Sequence, residues 1–238
     1  MSALPEVQAR GAHELLADPD GEQALLSDIA QGLLRQARAG GADQAEVRVS
    51  SSLSREVSVR LGEVDTLEEA RDRGVTLTVY RDKASGTATT GDLSPAALER
   101  AVAQALAIAE HTQPDPAGGL ADADRMAGTI EDFDRWHPAT PDMNALLERA
   151  RAIEAAGRDV DPRIDNSEGA GVSTAAVIGV YANSHGFLGA DRYTDYGQSC
   201  VLVARDQHGM QRDWDWDDRG RFDALAAPER TGRGAAER

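Results

Sequence analysis

The 238 residues contain one cysteine, Cys200, so no disulfide can close within the chain and no cluster of thiolates can hold zinc. Its setting, "SCVLVA", reads as a small buried strand residue, because activating a thiolate needs a neighbouring base that the sequence does not supply. Basic residues are also in short supply: 25 Lys and Arg stand against 41 Asp and Glu, a formal charge of −16. Such a field repels nucleic-acid phosphates and anionic lipid, which argues against a direct nucleic-acid or membrane-surface partner. No apolar run approaches the ~20 residues that span a bilayer. The opening "MSALPEVQARGAHELLADP" lacks the charged, apolar and small-residue succession of a secretory signal. A cytoplasmic protein is the expectation, and its 41% hydrophobic content suffices for a proper core.

What is present is patterned. Leu25, Leu26, Ile29, Leu33, Leu34 and Ala37 recur at helical spacing between Glu22 and Ala39, and Gly40-Gly41 supplies a left-handed stop. From Ala45 the period shortens to two in "EVRVSSS", "REVSVRLGEV", "VTLTVYRD" and "ASGTATTG", as in half-buried antiparallel strands, with Gly62, Gly74 and Gly86 at the expected turns. "DLSPAALERAVAQALAIAEH" returns to helix with Ser94 as N-cap and Pro95 in the first turn. A third helix is expected from Pro141, capped by Thr140 and closed by Gly157. Beyond Asp161, "RIDNSEGAG", "STAAVIGVYA", "FLGADRYTDYG", "CVLVARDQ" and "GMQRDWDWD" read as strands. Helices and strands in runs, not single alternation, predict an α+β fold of antiparallel sheets with amphipathic helices. The predicted division is an N-terminal extension at 1–21, an α+β region at 22–112, a connecting segment at 113–140, a helix plus strand-rich region at 141–226 and a C-terminal segment at 227–238 that reads as cut short.

No chemical motif is complete. His13-Glu14 begins an H-E-x-x-H helix, but Ala17 occupies the place where the second histidine must return to the same face. His185, in the turn "ANSHGF", reads as a solvent-facing corner residue, since metal sites need two or three converging groups. His111, His137 and His208 are scattered without a spaced partner. Asp213, Asp215 and Asp217 alternate with Trp214 and Trp216. Counted as an EF-hand loop from Asp213 they fail, because Asp218 stands where glycine is required and Ala224 where glutamate is. As a strand the same letters place the tryptophans against the core or a partner and the aspartates in water. The acidic pairs Glu68-Glu69 and Asp217-Asp218 read as solvated faces rather than an acid and a base. No catalytic, cofactor-binding or metal residue is predicted on this chain.

Several of these segments, in order, resemble the first half of the TldD/PmbA family in its PmbA (TldE) branch. They are "GEVDTLEEARDRGVTLTVYRDKASGTATTGDLSPAALERAVAQALAIAEHTQPDP", "WHPAT", "RIDNSEGAG", "VYANSHGFLGA", "SCVLVARDQHGMQRDWDW" and "GRFDAL". In that family the N-S-x-G turn, here Asn183 to Gly186, recurs as a signature of the fold. The resemblance implies a cytoplasmic heterodimer in which a TldD-like partner carries the H-E-x-x-x-H zinc motif and a PmbA-like subunit lacks the metal ligands. It also implies proteolysis of unfolded or flexible peptides, a microcin precursor and an antitoxin among them, and explains the older label "modulator of DNA gyrase". The expected role is therefore a metallopeptidase-family subunit with no cofactor of its own, zinc residing on the partner. A truncated, non-enzymatic binding or vestigial module is the alternative.

Overall fold

The computed structural model describes residues 14–128 and 130–238. The elements run α1 (Glu14–Ala17), α2 (Pro19–Ala39), β1 (Gln44–Arg60), β2 (Glu63–Arg81), β3 (Ala84–Thr90), α3 (Pro95–His111), α4 (Met143–Arg158), β4 (Asn166–Asn183), β5 (Leu188–Asp206), β6 (Gly209–Arg219) and α5 (Pro228–Ala236). The strands form one sheet in the order β3-β2-β1-β4-β5-β6, so the α+β class read from the sequence is the observed one. Several strands expected as separate pieces are single long ones. In β1 the buried residues stay on odd numbers from Ala45 through Ser51 to Val59, so the serine-rich middle never changes the phase of the pleat. Only Gly62 of the three glycines expected at turns occupies one, at φ +83; Gly74 lies inside β2 and Gly86 inside β3. No helix among the described residues is long and apolar enough to cross a membrane.

The chain divides into two compact units, each containing stretches of the long strands. The first comprises the described residues through Ser52, then Arg71–Phe133 and Val177–Arg192. Here α2 begins at Asp18, whose carboxylate accepts from the Gly21 amide at 3.0 Å, and it buries Leu26, Ile29, Ala30, Leu33 and Ala37. Ser94 caps α3 as expected, accepting from the Ala97 amide. The inward face of α3 is mostly alanine, and β3 opposes it with Gly86: a Cβ built there would run into the Ala105 carbonyl oxygen and the Ala109 amide. Gly86 is therefore a seat for a helix backbone, and it pairs with Val79 in an uninterrupted β2–β3 ladder. Glu22 is fully buried on α2, with guanidinium nitrogens of Arg73 at 3.0 Å and Arg71 at 3.2 Å. Burial pushes its pKa up, but the Ser51 hydroxyl and the two arginines outweigh burial and hold it below the ordinary carboxylate value.

The second unit comprises Leu53–Ala70, Asp134–Ala176 and Tyr193–Arg238. Its core joins Val57 and Val59 of β1, Ala170 and Val172 of β4, and Cys200 and Leu202 of β5 to Leu146, Ala150 and Ile153 of α4. The cap of α4 is Asp142, accepting from the Ala145 amide at 2.7 Å, not Thr140; the stronger carboxylate acceptor lies beyond Pro141 and moves the start to Met143. Nor does Gly157 end the helix, which continues to Arg158. Gly157 is buried where α4 meets α5: its Cβ would stand 2.6 Å from the Gly232 carbonyl oxygen, and a Cβ on Gly232 would strike the Ile153 carbonyl. One turn before Gly157, the buried Glu154 carboxylate accepts from the amides of Leu61 and Gly62, at 2.8 and 2.7 Å, and so ties down the β1–β2 turn.

Two outcomes follow for stability. Gly232→Ala forces α5 away from α4 and lowers the unfolding free energy by ~2 kcal/mol in urea titrations, the usual cost of overpacking. Glu22→Gln removes one partner of a buried charge cluster and costs ~3 kcal/mol at pH 7. Because the folded pKa of Glu22 lies below its unfolded value, its contribution is complete above the unfolded pKa and disappears as pH falls through the folded one; the gap between variant and wild type therefore narrows below pH ~4.5.

Candidate functional site

The signature turn owes its shape to each of its residues. Asn183 Oδ1 accepts from the amides of His185 and Phe187 at 3.1 and 3.3 Å, and the Asn183 amide donates to the Phe187 carbonyl at 3.0 Å. Ser184 binds β1 twice, its hydroxyl accepting from the Ala45 amide at 3.0 Å and its amide donating to the Ala45 carbonyl at 2.8 Å. Gly186 takes φ +91. His185 is half-buried and not solvent-facing as expected, with Nε2 3.2 Å from Gln44 Nε2. Gln44 Oε1 accepts from the Leu120 amide at 2.9 Å, so its NH2 group faces the imidazole at Nε2, while Nδ1 is buried without a hydrogen-bond partner among the described residues. The ring borders a groove of about 590 Å³ lined by Met126, Ile130, Phe187 and Leu188.

On the neighbouring face of this unit Glu46 is clamped between two phenols, Tyr80 donating at 3.1 Å and Tyr181 at 2.8 Å, while the Arg48 guanidinium lies 5.4 Å from the centre of the Tyr181 ring. Burial first, and then the Glu46 carboxylate, pushes the Tyr80 hydroxyl up to about 12. Both phenols stay protonated at neutral pH and donate their hydroxyl hydrogens to the Glu46 carboxylate. Sequence reading missed it because its members come from three strands far apart in the chain.

In the second unit β6 is inverted relative to expectation. Asp215 and Asp217 are each only 5% exposed, whereas Trp214 and Trp216 are 47% and 53% exposed. The reason lies above the strand's inner face. Arg238 reaches Asp215 at 2.8 Å with Arg230 at 4.0 Å, Arg219 reaches Asp217 at 2.6 Å, and the Ala226 amide donates to Asp217 at 2.8 Å. α5 and the segment before it thus dock on carboxylates, and the indoles take the other side. Asp213 instead accepts from the Trp214 amide, so the three aspartates do not converge on a cation.

The remaining candidates stay apart. His13 lies outside the described residues. His111 and His208 are exposed, and His137 Nε2 lies 2.7 Å from the Asp134 carbonyl oxygen. Glu69 pairs with Arg55 at 2.6 Å while Glu68 is exposed, and the Asp217-Asp218 pair splits between the two faces of β6. Among the described residues no three His, Cys, Asp or Glu side chains form a group able to hold a metal. Cys200 is fully buried, as its context predicts; burial pushes its thiol up to about 12, with Glu154 and Asp215 adding to the rise.

Residues 45–109 match the PmbA/TldA metallopeptidase domain 1 and residues 136–238 match the PmbA/TldA metallopeptidase central domain, and the chain belongs to this family. Among its relatives, metalloprotease PmbA of Escherichia coli O157:H7 is 34% identical over 227 residues, covering 95% of this chain and 50% of that protein. A metalloprotease PmbA homolog of Haemophilus influenzae is 34% identical over 217 residues, 91% of this chain and 48% of its own. The chain therefore spans about half the length of these curated relatives. Its fold is shared with a modulator-of-DNA-gyrase protein from Bacteroides thetaiotaomicron, at a TM-score of 0.81 and 21% identity over 92% of this chain and 49% of that one. It is shared too with TldE from Thermococcus kodakarensis, at 0.69 and 20% over 87% and 46%.

The environment of Cys200 sets a simple outcome: an aromatic disulfide reagent leaves the native protein unmodified at neutral pH and titrates one thiol once denaturant passes the unfolding midpoint.

Proposed function

We propose that this chain acts as a PmbA/TldE-like component of a zinc-dependent peptidase assembly in the cytoplasm, shaping the enclosure in which a TldD-like partner cleaves unfolded or flexible peptides. The observation that carries the reading is the match of two successive domains of the PmbA/TldA metallopeptidases over residues 45–109 and 136–238. The shared fold with TldE, and relatives named metalloprotease PmbA, support the branch. In this reading zinc, held by the partner, supplies the activated water. The residues of this chain contribute walls and edges. The Asn183–Phe187 turn and the Glu154-tethered hairpin fix strand ends by binding backbone amides, which suits a scaffold more than a reacting centre.

Co-expression with a TldD-like subunit tests the proposal. The two chains are expected to elute together in gel filtration, to cleave an unfolded protein such as reduced casein in a chelator-sensitive manner, and to carry zinc that stays with the partner when the two are separated. Separate elution, or stoichiometric zinc and chelator-sensitive cleavage by this chain alone, would overturn it.

A further inference from the structure

Outside that reading, the face of the second unit turned away from α4 and α5 carries a feature with no structural duty. A trough of about 280 Å³ runs across β4 and β5. Its floor is Gly171 and Ser173 on β4 and Gly197 and Ser199 on β5, alternating so that a Cβ on Gly171 would meet the Ser199 hydroxyl at 3.7 Å and one on Gly197 the Ser173 hydroxyl at 2.8 Å. Such a floor offers hydroxyls and bare backbone but no bulk. Strands lie ~4.8 Å apart, so a bed two strands wide, walled by β1 and β6, has the breadth of one extended polypeptide. The β6 wall is the half-exposed Trp216 indole with Asp218, whose carboxylate leans over Gly197, 2.8 Å from where a Cβ would be. Glu56 stands on the β1 side.

The charges of this face are unbalanced. Its arginine Arg212 is already paired with Glu168 at 2.8 Å, and Arg219 is turned to Asp217. Glu56, Asp195 and Asp218 form no ion pair among the described residues, and Asp195, partly buried, has Asp218 beside it with no cation between them. The same strand shows what would complete the arrangement. The Arg212 guanidinium lies 5.9 Å from the centre of the Trp214 ring, while Trp216, one pleat further along and more exposed, has no cation over it among the described residues.

We infer that this trough binds an extended polypeptide segment bearing arginine or lysine, its cation resting on Trp216 between Asp218 and Glu56 and its backbone lying on the Gly171/Gly197 floor. The occupant is a basic segment and not a second copy of the chain, because two such faces would bring unpaired carboxylates together on molecules of charge −16. Arginine is favoured over lysine by its planar stacking on indole.

The test uses the whole chain and fluorescein-labelled (Gly-Arg)3, with (Gly-Glu)3 and (Gly-Leu)3 as comparisons, read by anisotropy at physiological salt. The arginine peptide is expected to bind and the other two not. Trp216→Ala and Asp218→Asn should each weaken binding about five-fold, Trp216→Phe less, and Glu99→Gln, which removes the same charge from exposed α3, not at all. These positions are exposed or half-exposed, and circular dichroism verifies that each variant is folded. Equal loss in Glu99→Gln would mean attraction to the net charge alone, tight binding of (Gly-Leu)3 would mean a merely apolar surface, concentration-dependent dimerisation abolished by Trp216→Ala would mean self-association, and full binding by folded Trp216→Ala would place the ligand elsewhere. Any of these overturns the proposal.

Discussion

Two backbone-to-backbone contacts set the spacing of the layers. Gly86 lets α3 settle directly on β3, and Gly157 with Gly232 lets α5 settle on α4. Both contacts need a position with no side chain, and both place the rest. With α3 pressed onto β3, its inward face is buried though mostly alanine, and a side chain at position 86 would hold the helix off the strand. With α5 pressed onto α4, Arg238 and Arg230 come within reach of Asp215. The chain achieves cover over long strands with small residues and close approach, not with aromatic bulk.

Much of this was legible in the letters, and what was not has a common cause. A two-residue period says which side chains share a face of a strand, and in β1 the buried residues from Ala45 to Val59 all keep to it, across the point where the sequence reads as two strands. It does not say which face turns inward. In β6 hydrophobicity points the tryptophans in, but the cations that neutralise Asp215 come from Arg230 and Arg238, a helix later, and their charge outweighs the indoles. Residue-type cues misled in the same way where a distant element was involved. Gly86 and Gly157 look like punctuation until the helix that rests on each is known, and His185 looks like a free corner until Gln44, brought by the fold to its Nε2, is found there. Local features that depend on neighbours alone, such as Ser94 as a cap and Gly62 in a turn, were readable as they stand.

The functional side divides along the same line. The family is written in segments whose physical purpose is now visible: in "ANSH" the asparagine folds the turn and the serine staples it to β1. No single segment of that kind speaks of chemistry. The more deeply placed carboxylates described above are committed to structure, Glu22 to two arginines, Glu46 to two phenols, and Asp215 and Asp217 to the docking of α5. The exception is the open face of the second unit, where carboxylates and an indole remain uncommitted, and that surface is assembled from four strands no short motif could have linked.

The β1–β2 hairpin carries a last consequence. Leu61 sits at its tip with φ +53 and nearly half its surface in solvent, the look of a nick site for a digestive protease. Its amide and that of Gly62 are nevertheless bound by a carboxylate from α4, so the tip has no slack to feed into a foreign active-site cleft. Accessibility at this point is not the same as cleavability: one acidic side chain on a helix holds this bend of the sheet from within.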